Sequence, residues 1–216
     1  THIWTKLALA YAKIPVKLIH VEHNTEKYTP FRRYLTRKLD KYTNKYICVS
    51  KGVANHLIKQ GIDKSKVEVI YNGIDDFWFD NHYIENSLTN QYQNRAYFIW
   101  WGFMSRRKNL INMLLAYEEL VKEKCEVPDM LIIGNIAEHL KKEITPLMER
   151  NAKIIHLPFQ EEYVLKTLVK NSKGLIFPSF YEGFGLPVIE AYSQGVPVAC
   201  SNVTSLPEIA NGFSFL

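Results

Sequence analysis

Short apolar segments rich in Val, Ile and Tyr alternate along the chain with longer segments in which apolar residues recur at helical spacing. Buried parallel strands form short continuous apolar runs, and the helices that cover them show apolar residues three and four positions apart. The predicted strands lie at 16–22, 45–50, 66–71, 96–101, 129–134, 152–157, 173–178 and 196–201. The predicted helices lie at 2–13, 31–44, 51–60, 109–124, 138–150, 161–171 and 186–194. This alternation predicts an α/β fold.

The alternation breaks once, over a polar and Asn-rich segment at 72–96. A segment without either period between two periodic halves is typical of a domain boundary. We therefore predict a first α/β domain at 1–75, a linker at 76–95 and a second α/β domain at 96–216. Because the chain starts at Thr1 and stops within unfinished structure, we expect a fragment in which the first domain and the end of the second are incomplete.

The composition is that of an ordinary soluble protein, with 47% hydrophobic and 23% charged residues among 216. A formal net charge of +5 favours phosphate-bearing ligands without indicating a nucleic-acid-binding protein. The widely spaced Cys48, Cys125 and Cys200 predict a reduced intracellular protein without a zinc site. No apolar run approaches the roughly 20 residues of a membrane span, and no signal-peptide pattern is present, so we expect a cytoplasmic location.

The segment "FPSFYEGFGLPVIEAYSQGVPVACS" at 177–201 places Glu182 and Glu190 on either side of two glycines. It predicts a strand end, a turn and a helix with Pro in its first turn and Gly just past its end, where each is favoured. Gly183 and Gly185 allow the backbone to approach a ligand closely, and the helix N-terminus offers unpaired N–H groups and positive dipole charge. We expect a phosphate or diphosphate at this turn.

Carboxylates accept hydrogen bonds from pairs of hydroxyl groups. Glu182 and Glu190 therefore suit a ligand that carries sugars on both sides of a diphosphate, which is a nucleotide sugar. The alternative is that both acids are solvated on an ordinary strand, turn and helix, and the Gly-Phe-Gly and Pro around them weigh against it.

The segment "PSFYEGFGLPVIEAYSQGVPVACSNVTSLPEIANG" resembles the donor-binding signature of the family-4 retaining glycosyltransferases (glycosyl transferases group 1). Further matches follow in the family's order: "HVEHN", "CVSKGVANHL", "VEVIYNGID" and "WWGFMSRRKNL". The resemblance covers nearly the whole chain. It implies two Rossmann-like domains of the GT-B class, an N-terminal one on the acceptor side and a C-terminal one that binds the donor.

The resemblance also implies an activity. A sugar passes with retention from a nucleotide diphosphate sugar to a saccharide or lipid-linked acceptor, with no metal and no other cofactor. Strings such as "RRKNL" and "SNVTSLPEI" are frequent in members that transfer mannose or rhamnose-like sugars in polysaccharide assembly. Two alternatives stay open: a nucleotide-sugar epimerase of the same fold, and a non-catalytic donor-binding subunit.

Site residues follow from the resemblance position by position. Glu182 is implied to contact the hydroxyls of the transferred sugar, and Glu190 to accept hydrogen bonds from the ribose hydroxyls. The segment between them is implied to contact the sugar and the diphosphate through Gly183, Phe184, Gly185 and Leu186.

Lys108 in "RRKNL" matches the family lysine that neutralises the diphosphate. Many members carry an Arg directly after the strand-end Gly, where this chain has Phe103. Arg107, and less so Arg106, is the candidate replacement, and the alternative is that both arginines only solvate a helix start.

The N-terminal half supplies His23, at the position of a family His that reaches the donor sugar, and Asn72 and Gly73, which line the cleft in the family. The alternatives are an ordinary histidine at a strand end and a simple Asn-Gly turn. Asp75 and Asp76 have no partner cluster, so we reject a metal site there.

The segment 27–46 predicts an amphipathic basic helix. One interpretation is a surface helix with its basic residues in water, and the other is peripheral contact with anionic lipid beside a lipid-linked acceptor.

Overall fold

The computed structural model describes residues 2–12, 16–25, 29–124, 126–212 and 214–215. Of the three cysteines, Cys48 and Cys200 are buried thiols, and Cys125 lies outside the described residues. Contacts between Cα atoms divide the chain into two compact units. The first comprises Thr1–Gly73 with Glu182–Phe184, and the second comprises Ile74–Tyr181 with Gly185–Leu216.

The first unit contains a parallel sheet in the order β1-β2-β3. Its strands are β1 (Ile19–Glu22), β2 (Lys45–Cys48) and β3 (Val67–Val69). Its helices are α1 (His2–Ala12), α2 (Pro30–Lys38) and α3 (Lys51–Lys59). The predicted cap of α3 is confirmed, because the Ser50 hydroxyl oxygen accepts a hydrogen bond from the Val53 N–H at 3.1 Å.

Helix α2 is shorter than the predicted helix at 31–44, and that prediction was wrong at its end. A 3-10 turn, Asp40–Tyr42, follows α2 instead of a further α-helical turn. The Asp40 carboxylate accepts hydrogen bonds from the Tyr46 hydroxyl at 2.8 Å and the Lys66 ammonium at 2.9 Å. These two bonds hold Asp40 in place, at a point where the apolar periodicity of the sequence predicted that the helix would continue.

The second unit contains a parallel sheet in the order β6-β5-β4-β7-β8-β9. Its strands are β4 (Tyr97–Trp101), β5 (Asp129–Ile133), β6 (Ile154–Leu157), β7 (Gly174–Phe177), β8 (Val198–Cys200) and β9 (Ser214–Phe215). Its helices are α4 (Ser87–Gln93), α5 (Leu110–Glu123), α6 (Lys141–Glu149), α7 (Glu162–Asn171), α8 (Leu186–Ser193) and α9 (Leu206–Ala210). None of the helices in the described ranges is both long and apolar enough to cross a bilayer.

The order of the strands reverses between β4 and β7. These two strands are neighbours, with Ile99 opposite Leu175, while β5 and β6 lie on one side of them and β8 and β9 on the other. In open parallel sheets, ligands bind beyond the carboxyl ends of the strands at the point where the order reverses. The loops that follow Trp101 and Phe177 are therefore the expected ligand site of the second unit.

The segment predicted as a linker at 76–95 carries more structure than its polar sequence indicates. It contains α4, and its Trp78 and Tyr92 are buried in the core of the second unit. Asn86 and Thr89 form a capping box in which each side chain accepts a hydrogen bond from the other residue's backbone N–H. Local capping thus stabilises a helix whose apolar period is too weak to predict it.

Candidate functional site

The loop after β4 bends sharply at its first residue. Gly102 has a φ of +135°, in the left-handed region, and Gly134 after the neighbouring strand β5 has the same φ. A Cβ on Gly134 would lie 2.0 Å from the Gly102 carbonyl oxygen, so the two loops approach this closely only because Gly134 has no side chain. The loop after β4 is thereby held in place from the β5 side.

Two hydrogen bonds join the loop after β4 to the loop after β7. The Phe180 N–H donates to the Arg107 carbonyl oxygen at 2.8 Å, and the Asn109 side-chain amide donates to the Pro178 carbonyl oxygen at 3.0 Å. The joined loops lie at the reversal point of the sheet. The 3-10 turn Arg106–Lys108 is therefore fixed against the start of the turn at 179–185, here called the glycine turn.

Lys108 is the predicted phosphate-binding residue of this turn, and its side chain is turned inward. Only 7% of its surface is exposed. Its ammonium nitrogen lies 4.7 Å from the centroid of the Phe177 ring, at the end of β7. The negative face of an aromatic ring attracts a cation, and a partly desolvated ammonium interacts strongly with a phosphate because water screens it little.

The two arginines of the turn differ in their surroundings. Arg106 is exposed, and its guanidinium pairs with the Glu143 carboxylate of α6 at 2.6 Å. Arg107 is half-buried. Arg106 is therefore committed to a surface ion pair, which favours Arg107 as the second cation near the site.

The glycine turn ends as the sequence predicts. Gly185 has a φ of +110° and is the residue before α8, which begins at Leu186 with Pro187 second. A residue with a Cβ is strained at that φ, so the turn requires glycine here. The first backbone N–H groups of α8 follow directly, and Glu190 lies one turn into the helix.

The Glu190 carboxylate is oriented by a partner that the sequence analysis missed. The Trp101 indole N–H donates to Glu190 Oε2 at 3.1 Å. Burial raises the pKa of Glu190, while this hydrogen bond and the charge of Lys108 act in the opposite direction. Glu190 and Lys108 thus share one electrostatic environment. One sequence feature could have indicated this contact: a Trp at the last position of a buried strand has an N–H that needs an acceptor.

The predicted site residues are divided between the two units. Lys108, Arg107, Gly185, Leu186 and Glu190 belong to the second unit, around the reversal of its sheet. The remaining six belong to the first unit: His23 after β1, Asn72 and Gly73 after β3, and the turn residues Glu182, Gly183 and Phe184.

The acid pair at Asp75 and Asp76 has a structural role. The Asp75 carboxylate accepts a hydrogen bond from the Phe77 N–H at 3.0 Å and caps the 3-10 turn Asp76–Trp78. Within the described ranges, no group of three or more His, Cys, Asp or Glu side chains is placed to hold a metal ion.

Two family models match the chain. Glycosyl transferases group 1 matches residues 85–214, and Glycosyltransferase Family 4 matches residues 1–76. The chain belongs to the glycosyl transferases group 1 family. The resemblance to this family that the sequence motifs indicated is therefore confirmed.

Curated relatives of this group 1 chain include two from Escherichia coli. The O-antigen chain mannosyltransferase B is 40% identical over 119 residues, which are 53% of this chain and 31% of the relative. The serotype-specific mannosyltransferase WbdA is 27% identical over 220 residues, which are 95% of this chain and 26% of the relative. The matched region is thus about a third or less of each relative's length.

Among solved structures, the group 1 chain is similar to that of Anabaena Alr3699/HepE in complex with UDP-glucose. The TM-score is 0.77 at 18% identity, and the match covers 94% of this chain and 58% of the other. This similarity shows the fold. The predicted α/β fold with Rossmann-like domains of the GT-B class is confirmed.

Proposed function

We propose that the protein is a glycosyltransferase that moves a sugar from a nucleotide diphosphate sugar to a saccharide or lipid-linked acceptor in polysaccharide or glycoconjugate biosynthesis. The observation that carries the proposal is the convergence of Lys108, Glu190 and the start of α8 at the reversal point of the second sheet. The family membership and the names of the two mannosyltransferase relatives support it.

The proposed mechanism is electrostatic. The diphosphate lies at Gly185 and the N-terminus of α8, where backbone N–H groups and the helix dipole favour negative charge. The leaving diphosphate gains charge in the transition state, and the Lys108 ammonium stabilises that charge, with Arg107 as the second cation. No step of this scheme requires a metal ion. Glu190 accepts hydrogen bonds from the ribose hydroxyls.

We further propose retention of the anomeric configuration and transfer of a hexosyl group, either mannosyl or rhamnosyl. Retention follows from the family resemblance, without an assigned covalent nucleophile. The names of the two relatives support mannosyl transfer. The contacts of Glu182, Gly183, Phe184, His23, Asn72 and Gly73 with the donor stay predictions of the resemblance.

The test is a thermal-shift panel of GDP-, UDP-, dTDP- and ADP-sugars on the intact protein. A ligand that binds only the folded state raises the free energy of unfolding by mass action, by about 2.7 kcal/mol when its concentration is a hundred times its Kd. The melting temperature rises accordingly. We expect a rise with at least one donor, and no rise with any of them overturns the proposal. Incubation of that donor without acceptor separates transfer from epimerisation, because an epimerase alone changes the sugar while it is still linked to the nucleotide.

The two acids give separate predictions. We expect Glu182→Gln mainly to lower kcat, because it contacts the transferred sugar, and Glu190→Gln mainly to raise the Kd for the nucleoside diphosphate. Each loss should be on the order of tenfold, the size of one hydrogen bond to a charged group. Steady-state kinetics and calorimetry separate the two effects, with exposed Glu149→Gln as the control. Activity equal to the wild type in both variants would refute the assignment.

We also propose that α2 contacts an anionic membrane surface from the cytoplasmic side. Phe31 and Tyr34 are 71% and 57% exposed, and Arg33, Arg37 and Lys38 are exposed on the same helix. An exposed mixture of aromatic and basic residues favours binding to anionic lipid. We expect Phe31→Ser with Tyr34→Ser to reduce cosedimentation with phosphatidylglycerol vesicles severalfold. Binding that is unchanged, or that is equal for phosphatidylcholine vesicles, argues for a solvated surface helix.

A further inference from the structure

A pair of stacked tryptophans, Trp78 and Trp101, lies next to Glu190 in the second unit. The rings of Trp78 and Trp101 have centroids 6.4 Å apart and an interplanar angle of 24°. Both side chains are buried, at 4% and 6% exposure. Trp101 is also held through its backbone, because it is the last residue of β4 and lies opposite Ile133 in the β4–β5 ladder. Its indole ring therefore has little freedom to turn.

Helix α8 and Gln194, the residue that follows it, form hydrogen bonds with this tryptophan pair at two points. At the first, the Trp101 indole N–H donates to Glu190 Oε2 at 3.1 Å. At the second, one turn further along, the Gln194 amide donates to the Trp78 carbonyl oxygen and accepts a hydrogen bond from the Tyr83 hydroxyl at 3.1 Å. Hydrogen bonds to Trp78, Tyr83 and Trp101 thus hold both the Glu190 carboxylate and the C-terminal end of α8.

A carboxylate has two oxygens that accept hydrogen bonds, and rotation about its terminal bond exchanges them. A fixed donor to one oxygen stops that rotation and fixes the direction of the other. We propose that Trp101 is a positioning residue for donor binding, whose indole N–H holds Oε2 of Glu190 so that Oε1 accepts a hydrogen bond from a ribose hydroxyl of the nucleotide. This inference rests on the proposed function, which assigns the ribose to Glu190.

The pKa of Glu190 is raised overall, because the effect of burial outweighs two contributions that lower it. Burial raises the pKa of the carboxyl, which favours the protonated form, whereas the indole hydrogen bond and the nearby Lys108 charge favour the ionised form. An ionised carboxylate only accepts hydrogen bonds, as a ribose hydroxyl requires. The indole hydrogen bond therefore fixes the direction of the carboxylate and opposes the rise in its pKa.

The deciding variant is Trp101→Phe, which keeps an aromatic ring against Trp78 and removes the N–H. The matched control is Trp100→Phe, one position earlier in the same strand. Successive side chains point to opposite faces of a sheet. The Trp100 indole nitrogen is buried without a hydrogen-bond partner among the described residues, so this control removes a similar volume and no bond.

Calorimetric titration of the intact protein with GDP, UDP and ADP, each beside its 2′-deoxy and 3′-deoxy forms, gives the readout. We expect the wild type to prefer one ribonucleotide over a deoxy form by about tenfold. Trp101→Phe should weaken the binding of that ribonucleotide by a similar factor and leave the affinity for its deoxy form unchanged, so that the preference disappears. Trp100→Phe should keep the preference.

The positioning role is overturned if Trp101→Phe weakens the binding of the ribonucleotide and its deoxy form equally, or if the preference for the ribonucleotide survives. The indole would then serve only in packing. A wild-type protein that binds none of the three diphosphates overturns the proposed function itself, which is a different result. If Trp101→Phe does not fold, the indole N–H resonance of Trp101 in the wild type decides. A larger shift of that resonance with the ribonucleotide than with its deoxy form supports the proposal, and equal shifts contradict it.

Discussion

Lys108→Met is expected to lower kcat about 100- to 1,000-fold while the protein stays folded. The 7% exposure of Lys108 and its position 4.7 Å from the Phe177 ring place the ammonium in a site with little water. Removal of one preorganised group that stabilises transition-state charge costs roughly 3–4 kcal/mol in known enzymes. Methionine fills similar space without charge, so the loss reports electrostatics and not packing.

Release of nucleoside diphosphate from the donor identified in the thermal-shift panel measures this effect. Lys108→Arg should recover only part of the rate, because a planar guanidinium does not replace a compact ammonium in a closed site. Arg106→Met is the matched control from the same turn, since Arg106 pairs with Glu143 at the surface, and its kcat should stay within about twofold of the wild type. A loss of less than tenfold in Lys108→Met would contradict the proposed mechanism.

The local parts of the site could be predicted from the sequence. The turn before α8 needs a left-handed residue, and a helix with Pro in its first turn has a defined start, so Gly185 and the position of Glu190 follow from a few neighbouring residues. The alternation of strands and helices was equally visible, because each period reflects burial on one face.

The missed features depend on partners far away in the chain. Trp101 meets Glu190 across 89 positions, and a double Trp at a strand end has the same pattern whether or not its indole finds a carboxylate. The Phe180 N–H bonds to the Arg107 carbonyl only because β4 and β7 are neighbours, an order that periodicity does not encode. Helix α4 was missed because its stability comes from a capping box and from the burial of Tyr92.

Lys166→Met is expected to destabilise the second unit by about 2–4 kcal/mol, the cost of leaving buried acceptors without their charged donor. Lys166 on α7 is fully buried. Its ammonium donates to the Phe77 carbonyl oxygen, to the Asp80 carbonyl oxygen at 2.8 Å and to the Asp80 carboxylate. It also lies 5.1 Å from the centroid of the Tyr83 ring. One cation thus holds the segment at 77–83 on α7.

Methionine restores the volume but provides no donor, so water must reach the two carbonyl oxygens or they stay unsatisfied. Urea unfolding of Lys166→Met and of the exposed Lys142→Met measures the difference, and the control should change by less than about 0.5 kcal/mol.

Asp80 gives a second check. The hydrogen bond from Lys166 lowers the pKa of its carboxyl, so that contribution is present above the unfolded pKa and is lost as the pH falls through the folded one. The acid dependence of stability below about pH 4 should therefore be weaker in Lys166→Met, since the ordinary Asp pKa is about 3.9. A loss under about 1 kcal/mol with unchanged acid dependence would mean that water replaces the ammonium at little cost. In that case the segment at 77–83, with Trp78 behind Glu190, would be held by ring packing instead.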